Sequence, residues 1–178
     1  MKDFFGNQRE LGNVTILAEM TLMIALSGAL HLIRPFTLPQ GGSVTLGSMI
    51  PIILFALRRG PKLGVLAGVI FGLIVLVEEP FVFHPIQVML DYPIAFGALG
   101  LAGLFKKYHL VGVVLAIGGR LLAHVISGII FFANFAPANI HPALFSLIYN
   151  ASFLSIELII TAAVIFSLLK RGILKIYV

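Results

Sequence analysis

From residue 14 to residue 169 the chain is a succession of apolar stretches, interrupted only by proline, glycine and small clusters of charge. A helix needs about 20 apolar residues to cross the hydrocarbon core of a bilayer. Six stretches read as such spans: residues 14–33, 43–57, 62–77, 86–105, 110–135 and 142–169. The second and third are short, and the fifth and sixth are long enough to tilt or to extend past the bilayer. Between the second and third, Arg58-Arg59-Gly60-Pro61-Lys62 is a strong helix break. Hydrophobic residues make up 60% of the chain and charged residues 11%, against about 25% charged in a soluble domain. Lipid is therefore the solvent. The expectation is an all-α membrane protein, one integral membrane domain over residues 1–178, with a polar N-terminal segment at 1–13 and six transmembrane helices within about 14–169.

The placement of basic residues orients such a bundle. All of the 12 lysines and arginines except Arg34 and Arg120 fall before the first span, between the second and third, between the fourth and fifth, or after the sixth. With six spans these segments share one side, which predicts cytoplasmic N- and C-termini. The net charge of +5 is then a consequence of topology and not a nucleic-acid surface. The N-terminal MKDFFGNQRELGN lacks a secretory pattern and reads as mature sequence. Its Phe4 and Phe5, beside Lys2 and Arg9, suit either the membrane interface or a polar tail. The chain has no cysteine, which excludes disulfides, thiolate catalysis and Cys-based metal sites. The outer loops at 34–42, 78–85 and 136–142 are rich in proline and aromatics. They suit a lid, or simply interfacial anchoring.

Ionisable groups inside a membrane are costly and usually face a partner or a cavity. Glu19, Asp91, Arg120, His124 and Glu157 occupy such positions. Arg120, His124 and Gly128 recur every four residues, on one face of the fifth span. Ser146, Asn150 and Glu157 form a stripe on the sixth, and Asp91-Tyr92 lies near the outer end of the fourth. These stripes converge on a pocket open to the outside, with Tyr92, Phe132, Phe145 and Tyr149 as aromatic walls. A carboxylate among aromatic faces suits a flat cation. Each residue also admits a purely structural role. Asp91 suits pairing with Arg120 or His124, His124 a bond to a neighbouring helix, and Asn150 interhelical bonding. Glu19 and Glu157 lie nearer the cytoplasmic half and are left outside the site.

Gly64, Gly68 and Gly72, and Gly97, Gly100 and Gly103, are spaced for close helix contact. The same applies to Thr21, Ala25 and Ala29 on the first span, where a second membrane protein is an alternative occupant. No phosphate-binding loop, helical zinc motif or nucleophile elbow occurs. His84 and His141 sit on separate outer loops, so no metal and no cofactor is expected.

Four segments carry a resemblance. They are LPQGGSVTLGSMIPIILFALRRGPKLGVLAG (38–68), HPIQVMLDYPIAFGALGLAGLF (84–105), HVISGIIFF (124–132) and SLIYN (146–150). Together they resemble the thiamine-specific S components (ThiT/YuaJ family) of energy-coupling factor (ECF) importers, over nearly the whole chain from about Glu19. The resemblance implies a six-helix subunit that binds thiamine from outside. It further implies docking through small residues of the first helix, here Thr21, Ala25 and Ala29, on a module of a transmembrane coupling subunit and two ATPases. By position, it implies a ligand site made of Asp91, Tyr92, Arg120, His124, Gly128, Phe132, Phe145 and Asn150. The sequence departs from the family in having no tryptophan. Phe132 falls at one stacking position and Gly42 opposite another, and Phe145 falls where a tyrosine is expected. These changes point to thiamine or to a close analogue or precursor. The alternatives are a solitary proton-coupled vitamin transporter, with Asp91 and His124 as a relay, and an integral membrane enzyme, which the lack of a catalytic constellation disfavours.

Overall fold

A computed structural model describes residues 2–173, with side chains from residue 13 onward. The side chains of Lys2, Phe4, Phe5 and Arg9, and the whole of Lys175, lie outside the described residues. Six helical elements follow one another: α1 (Lys2–His31), α2 (Ile50–Arg59), α3 (Pro61–Glu78), α4 (Pro85–Phe105), α5 (His109–Phe131) and α6 (Pro142–Lys170). Among the described residues, five of them have the length and hydropathy of a membrane span. Large apolar side chains such as Leu22, Val77, Leu122, Ile130 and Ile159 point outward, each more than half exposed. That is the surface of a bundle bathed in lipid. The chain is an all-α, multi-pass membrane protein.

The exception is α2, and it corrects the expected span at 43–57. Only ten residues are helical, about 15 Å of rise against a core of about 30 Å. The residues before it form something else. Phe36–Thr37 (β1) and Ser43–Val44 (β2) pair antiparallel in a small hairpin. Gly47 then takes φ 79°, a conformation open to glycine. The Thr45 hydroxyl bonds Ser48 Oγ at 2.8 Å and accepts from the Ser48 N–H at 3.2 Å. Such local bonds compete with helix formation. Glu157 on α6 completes the anchor by accepting from the Thr45 N–H and, at 2.6 Å, from its hydroxyl. Thus α2 starts inside the bundle, where Ile52, Ile53, Phe55 and Leu57 are fully buried. Glu157 holds it from across the molecule.

The expected break at 58–62 is present. Gly60 adopts φ 93° and Pro61 opens α3, a position where its missing N–H costs nothing. Glu19 on α1 receives Arg59 Nε at 2.8 Å and Arg58 at 3.3 Å, tying the basic end together. At the opposite end Arg34 pairs with Glu79. His84 and His141, on separate loops, cap α4 and α6 by accepting from Ile86 N and Ala143 N at 3.1 and 3.2 Å.

The glycine series on α3 and α4 lie against one another. A Cβ at Gly68 would fall 2.3 Å from the Phe96 carbonyl oxygen, and one at Gly72 would fall 2.5 Å from that of Tyr92. The two backbones therefore touch, which fixes the depth and rotation of α4, the helix that carries Asp91. Replacing Gly68 or Gly72 by leucine is expected to lower the thermal midpoint of the detergent-solubilised protein, or to prevent folding. Overpacking costs about 1–3 kcal/mol or more. Gly118→Ala, whose new methyl meets nothing within 4 Å, is expected to keep or slightly raise the midpoint, since alanine is the better helix former. Equal midpoints for all the variants would show that the two helices are further apart.

Candidate functional site

Pro93 shapes the local structure around Asp91. It has no N–H to offer the carbonyl one turn back, and the helix widens to π geometry over Leu90–Ile94. There Ala95 N–H reaches the Leu90 carbonyl, five residues back. Such π segments recur at functional sites because they re-aim side chains. Here both Asp91 and Tyr92 line an internal cavity of about 890 Å³, counted out to its mouth.

Asp91 is held by three groups. Its Oδ1 lies 3.0 Å from His124 Nδ1, and its Oδ2 accepts from Gln87 Nε2 at 2.7 Å and from Ser127 Oγ at 2.9 Å. His124 is engaged on its other side as well, because Arg120 Nε donates to His124 Nε2 at 3.3 Å. A nitrogen that accepts carries no proton, so the imidazole is the Nδ1–H tautomer and donates to the carboxylate. A chain of charge results, from guanidinium through neutral imidazole to carboxylate. Among the described residues, Arg120 has no carboxylate within salt-bridge distance. Its guanidinium lies over the Phe96 ring at 4.1 Å and donates to Met49 Sδ at 3.0 Å. Direct pairing of Asp91 with Arg120 is therefore not what the structure contains. Pairing with His124 is, and it uses both ring nitrogens of that histidine.

The eight residues assembled from the sequence, Asp91, Tyr92, Arg120, His124, Gly128, Phe132, Phe145 and Asn150, all line this one cavity. Asn150 is buried, and its Nδ2 donates to the Ser146 carbonyl at 2.9 Å. Its Oδ1 has no partner among the described residues. Gly128 allows α5 and α6 to meet, since a Cβ there would fall 2.0 Å from Ser146 Oγ. Phe132 sits in an aromatic cluster with Phe81 and Phe83, each at 5.6 Å between ring centroids, and Phe135 at 6.0 Å. Phe145 stacks on Tyr149 at 6.4 Å. Tyr92 OH donates to the Glu79 carbonyl and accepts from Phe81 N–H, both at 2.8 Å. It thereby ties the 79–81 loop to the cavity wall.

Several lining residues escaped the sequence reading: His31, Gln40, Glu79, Phe81, Gln87 and Phe153. Gln87 had a signal, being one helical turn before Asp91. It is fully buried, accepts from Phe83 N–H at 2.9 Å and donates to the Phe81 carbonyl at 3.1 Å. Glu79 had been assigned only to a loop. It lines the cavity while its carboxylate pairs with Arg34. The first loop contributes Gln40, Gly41, Gly42 and Ser43. It is fastened to α6 by Tyr149, whose hydroxyl donates to the Pro39 carbonyl and accepts from Gly42 N–H at 3.1 Å. Glu19 and Glu157 are not among the lining residues; they pair with Arg59 and with Thr45 instead.

A helical membrane bundle with a cavity walled in part by aromatic rings, and with charged groups at its wall, is built to hold a small molecule. The comparisons say which proteins it resembles. Residues 17–176 match the family described as Thiamine transporter protein (Thia_YuaJ), and the chain belongs to that family. It is 38% identical over 168 residues to the thiamine transporter ThiT of Bacillus subtilis (strain 168), spanning 84% of this chain and 87% of that protein. It is 28% identical over 172 residues to the ThiT of Lacticaseibacillus paracasei, spanning 85% of each. The solved structure of ThiT from Listeria monocytogenes superposes with a TM-score of 0.81 at 23% identity, over 90% of this chain and 96% of that one. That likeness establishes the fold.

Removing Gln87 is expected to disturb the site before the fold. Gln87→Leu leaves Asp91 with two donors and removes two of the loop's anchors, the bonds to Phe83 N–H and the Phe81 carbonyl, while that from Tyr92 to Phe81 N–H remains. About 1–3 kcal/mol of stability should go with each buried group left unsatisfied. Thermal unfolding in detergent checks this, and a Gln87→Glu variant should be destabilised more, because a second carboxylate would then face Asp91.

Proposed function

We propose that the chain is the substrate-capture subunit of a vitamin importer and that the cavity binds thiamine or a close cationic relative. The observation that carries this reading is Asp91. It is a carboxylate lining an aromatic cavity, oriented by three donors and left with its charge intact. Glu79 also lines the cavity, but its carboxylate is paired with Arg34, so Asp91 is the acid that carries the reading. A thiazolium ring is flat and cationic, and it gains from both the carboxylate and the aromatic faces. In a low-dielectric site a counter-charge is worth more than in water.

The roles follow from the contacts. Asp91 is the counter-charge. Because both nitrogens of His124 are engaged, its role is to hold Asp91 and to couple it to Arg120. Asn150 offers Oδ1 to a ligand N–H or O–H, Phe132, Phe145 and Tyr92 form walls, and Gly128 leaves room. The basic end carrying Arg58, Arg59, Lys62 and Lys106 faces the cytoplasm by the distribution of positive charge. The cavity and its loops then face outward, in a cell membrane, with both termini inside. A chain without a nucleotide site needs an energy source. The reading therefore includes docking on an ECF module with two ATPases through Thr21, Ala25 and Ala29. These small residues all lie on the exposed face of α1, where a second helix can approach closely.

Titration calorimetry with purified protein is expected to give tight thiamine binding. Asp91→Asn should weaken it at least tenfold, or about 1.4 kcal/mol, and Phe132→Ala should weaken it through lost stacking. Unchanged affinity in Asp91→Asn removes the counter-charge role. Uptake in cells should require co-expressed ATPases and a coupling subunit. Uptake by this chain alone that collapses with a protonophore would instead favour a solitary proton-coupled carrier.

A further inference from the structure

The cavity holds a second oriented histidine that neither the sequence reading nor the roles above use. His31, at the end of α1, lines the cavity and is 3% exposed. Its Nδ1 lies 2.9 Å from Glu78 Oε2 on α3. Its ring stands edge-on to Phe71 at 6.1 Å and 83°. Phe71 in turn packs at 5.0 Å on Phe96, the ring beneath Arg120. Both rotation and position of the imidazole are thus set by packing.

The carboxylate fixes the proton. A carboxylate accepts, so Nδ1 is the N–H bearing nitrogen, and the neutral ring presents the bare lone pair of Nε2. Among the described residues Nε2 has no hydrogen-bond partner. An oriented acceptor on a buried, cavity-lining residue, with no protein partner among the described residues, is the arrangement that discriminates strongly between ligands with and without a matching donor. A carboxylate bonded to one ring nitrogen also fixes the tautomer and the orientation of the ring.

We propose that His31, oriented by Glu78, is a specificity-determining contact whose Nε2 accepts a hydrogen bond from an N–H or O–H of the bound ligand. The inference rests on the binding reading above. For thiamine the donor is either the pyrimidine amino group or the hydroxyl of the side arm, and both have the required chemistry. Glu78 is a positioning residue, acting through His31.

The test measures affinities by calorimetry for three compounds. These are thiamine, the analogue with hydrogen in place of the amino group, and the analogue with hydrogen in place of the hydroxyl. Each is titrated into the wild-type protein and into His31→Phe. The double variant His31→Phe/Glu78→Leu serves as a second background in which no acid is left unpaired. Expected is a roughly tenfold weaker affinity for thiamine in both variants, with the loss disappearing for one of the two analogues. The analogue for which it disappears names the donor. Wild-type affinity for thiamine in the variants overturns the inference. So does an equal loss for all three compounds, which marks a structural role. Wild-type protein that binds none of the three overturns the ligand reading itself, and this inference with it.

Discussion

A carboxylate inside hydrocarbon persists only if fixed groups replace the water it has lost. Around Asp91 that replacement comes from α4 and α5 together: Gln87 from the turn before, Ser127 and His124 from the neighbouring helix, and Arg120 through the imidazole. The arrangement satisfies the acid without cancelling it, because the guanidinium stands one residue removed. A direct ion pair would have neutralised the cavity wall and left little field for a guest. The relay keeps the two charges apart, with the guanidinium held against Phe96 and Met49.

Everything else in the bundle serves the geometry of that chain. Glycine-to-backbone contact between α3 and α4 sets the depth of Asp91, and Pro93 with the π segment sets its direction. The absence of a side chain at Gly128 lets α6 bring Asn150 to the same hollow. The buried Glu157 anchors the segment before α2 and so places the loop 39–43 over the cavity. A polar group deep in the membrane thus has a structural assignment at one position and a proposed ligand-facing one at another. The difference is whether the group opens onto empty space.

The helical content and the cavity were legible in the sequence for a simple reason. Residues four apart share a helix face, so Arg120, His124 and Gly128 had to point one way. The glycine spacing likewise announced a close contact. What was not legible depended on partners distant in sequence. Hydropathy made 43–57 look like a span, but the conformation of Gly47 and the bond from Thr45 to Glu157, 112 residues away, keep its first part out of the helix, which starts only at Ile50. His31 read as the end of a span, because its partner Glu78 lies 47 residues on. Glu79 read as a loop acid, because only the folded chain turns it toward the cavity. Gln87 and Ser127 were within reach of the same periodicity that found Asp91 and His124. Neutral polar side chains in a span cost far less than charges, so their presence alone does not mark a site.

The central claim is electrostatic: the cavity takes its ligand because the ligand carries a positive charge. The most direct measurement compares, by titration calorimetry, thiamine with the uncharged isostere in which carbon replaces the thiazolium nitrogen. The account predicts that the neutral isostere binds at least tenfold more weakly, despite equal shape and equal aromatic surface. Equal affinity for the two would contradict it.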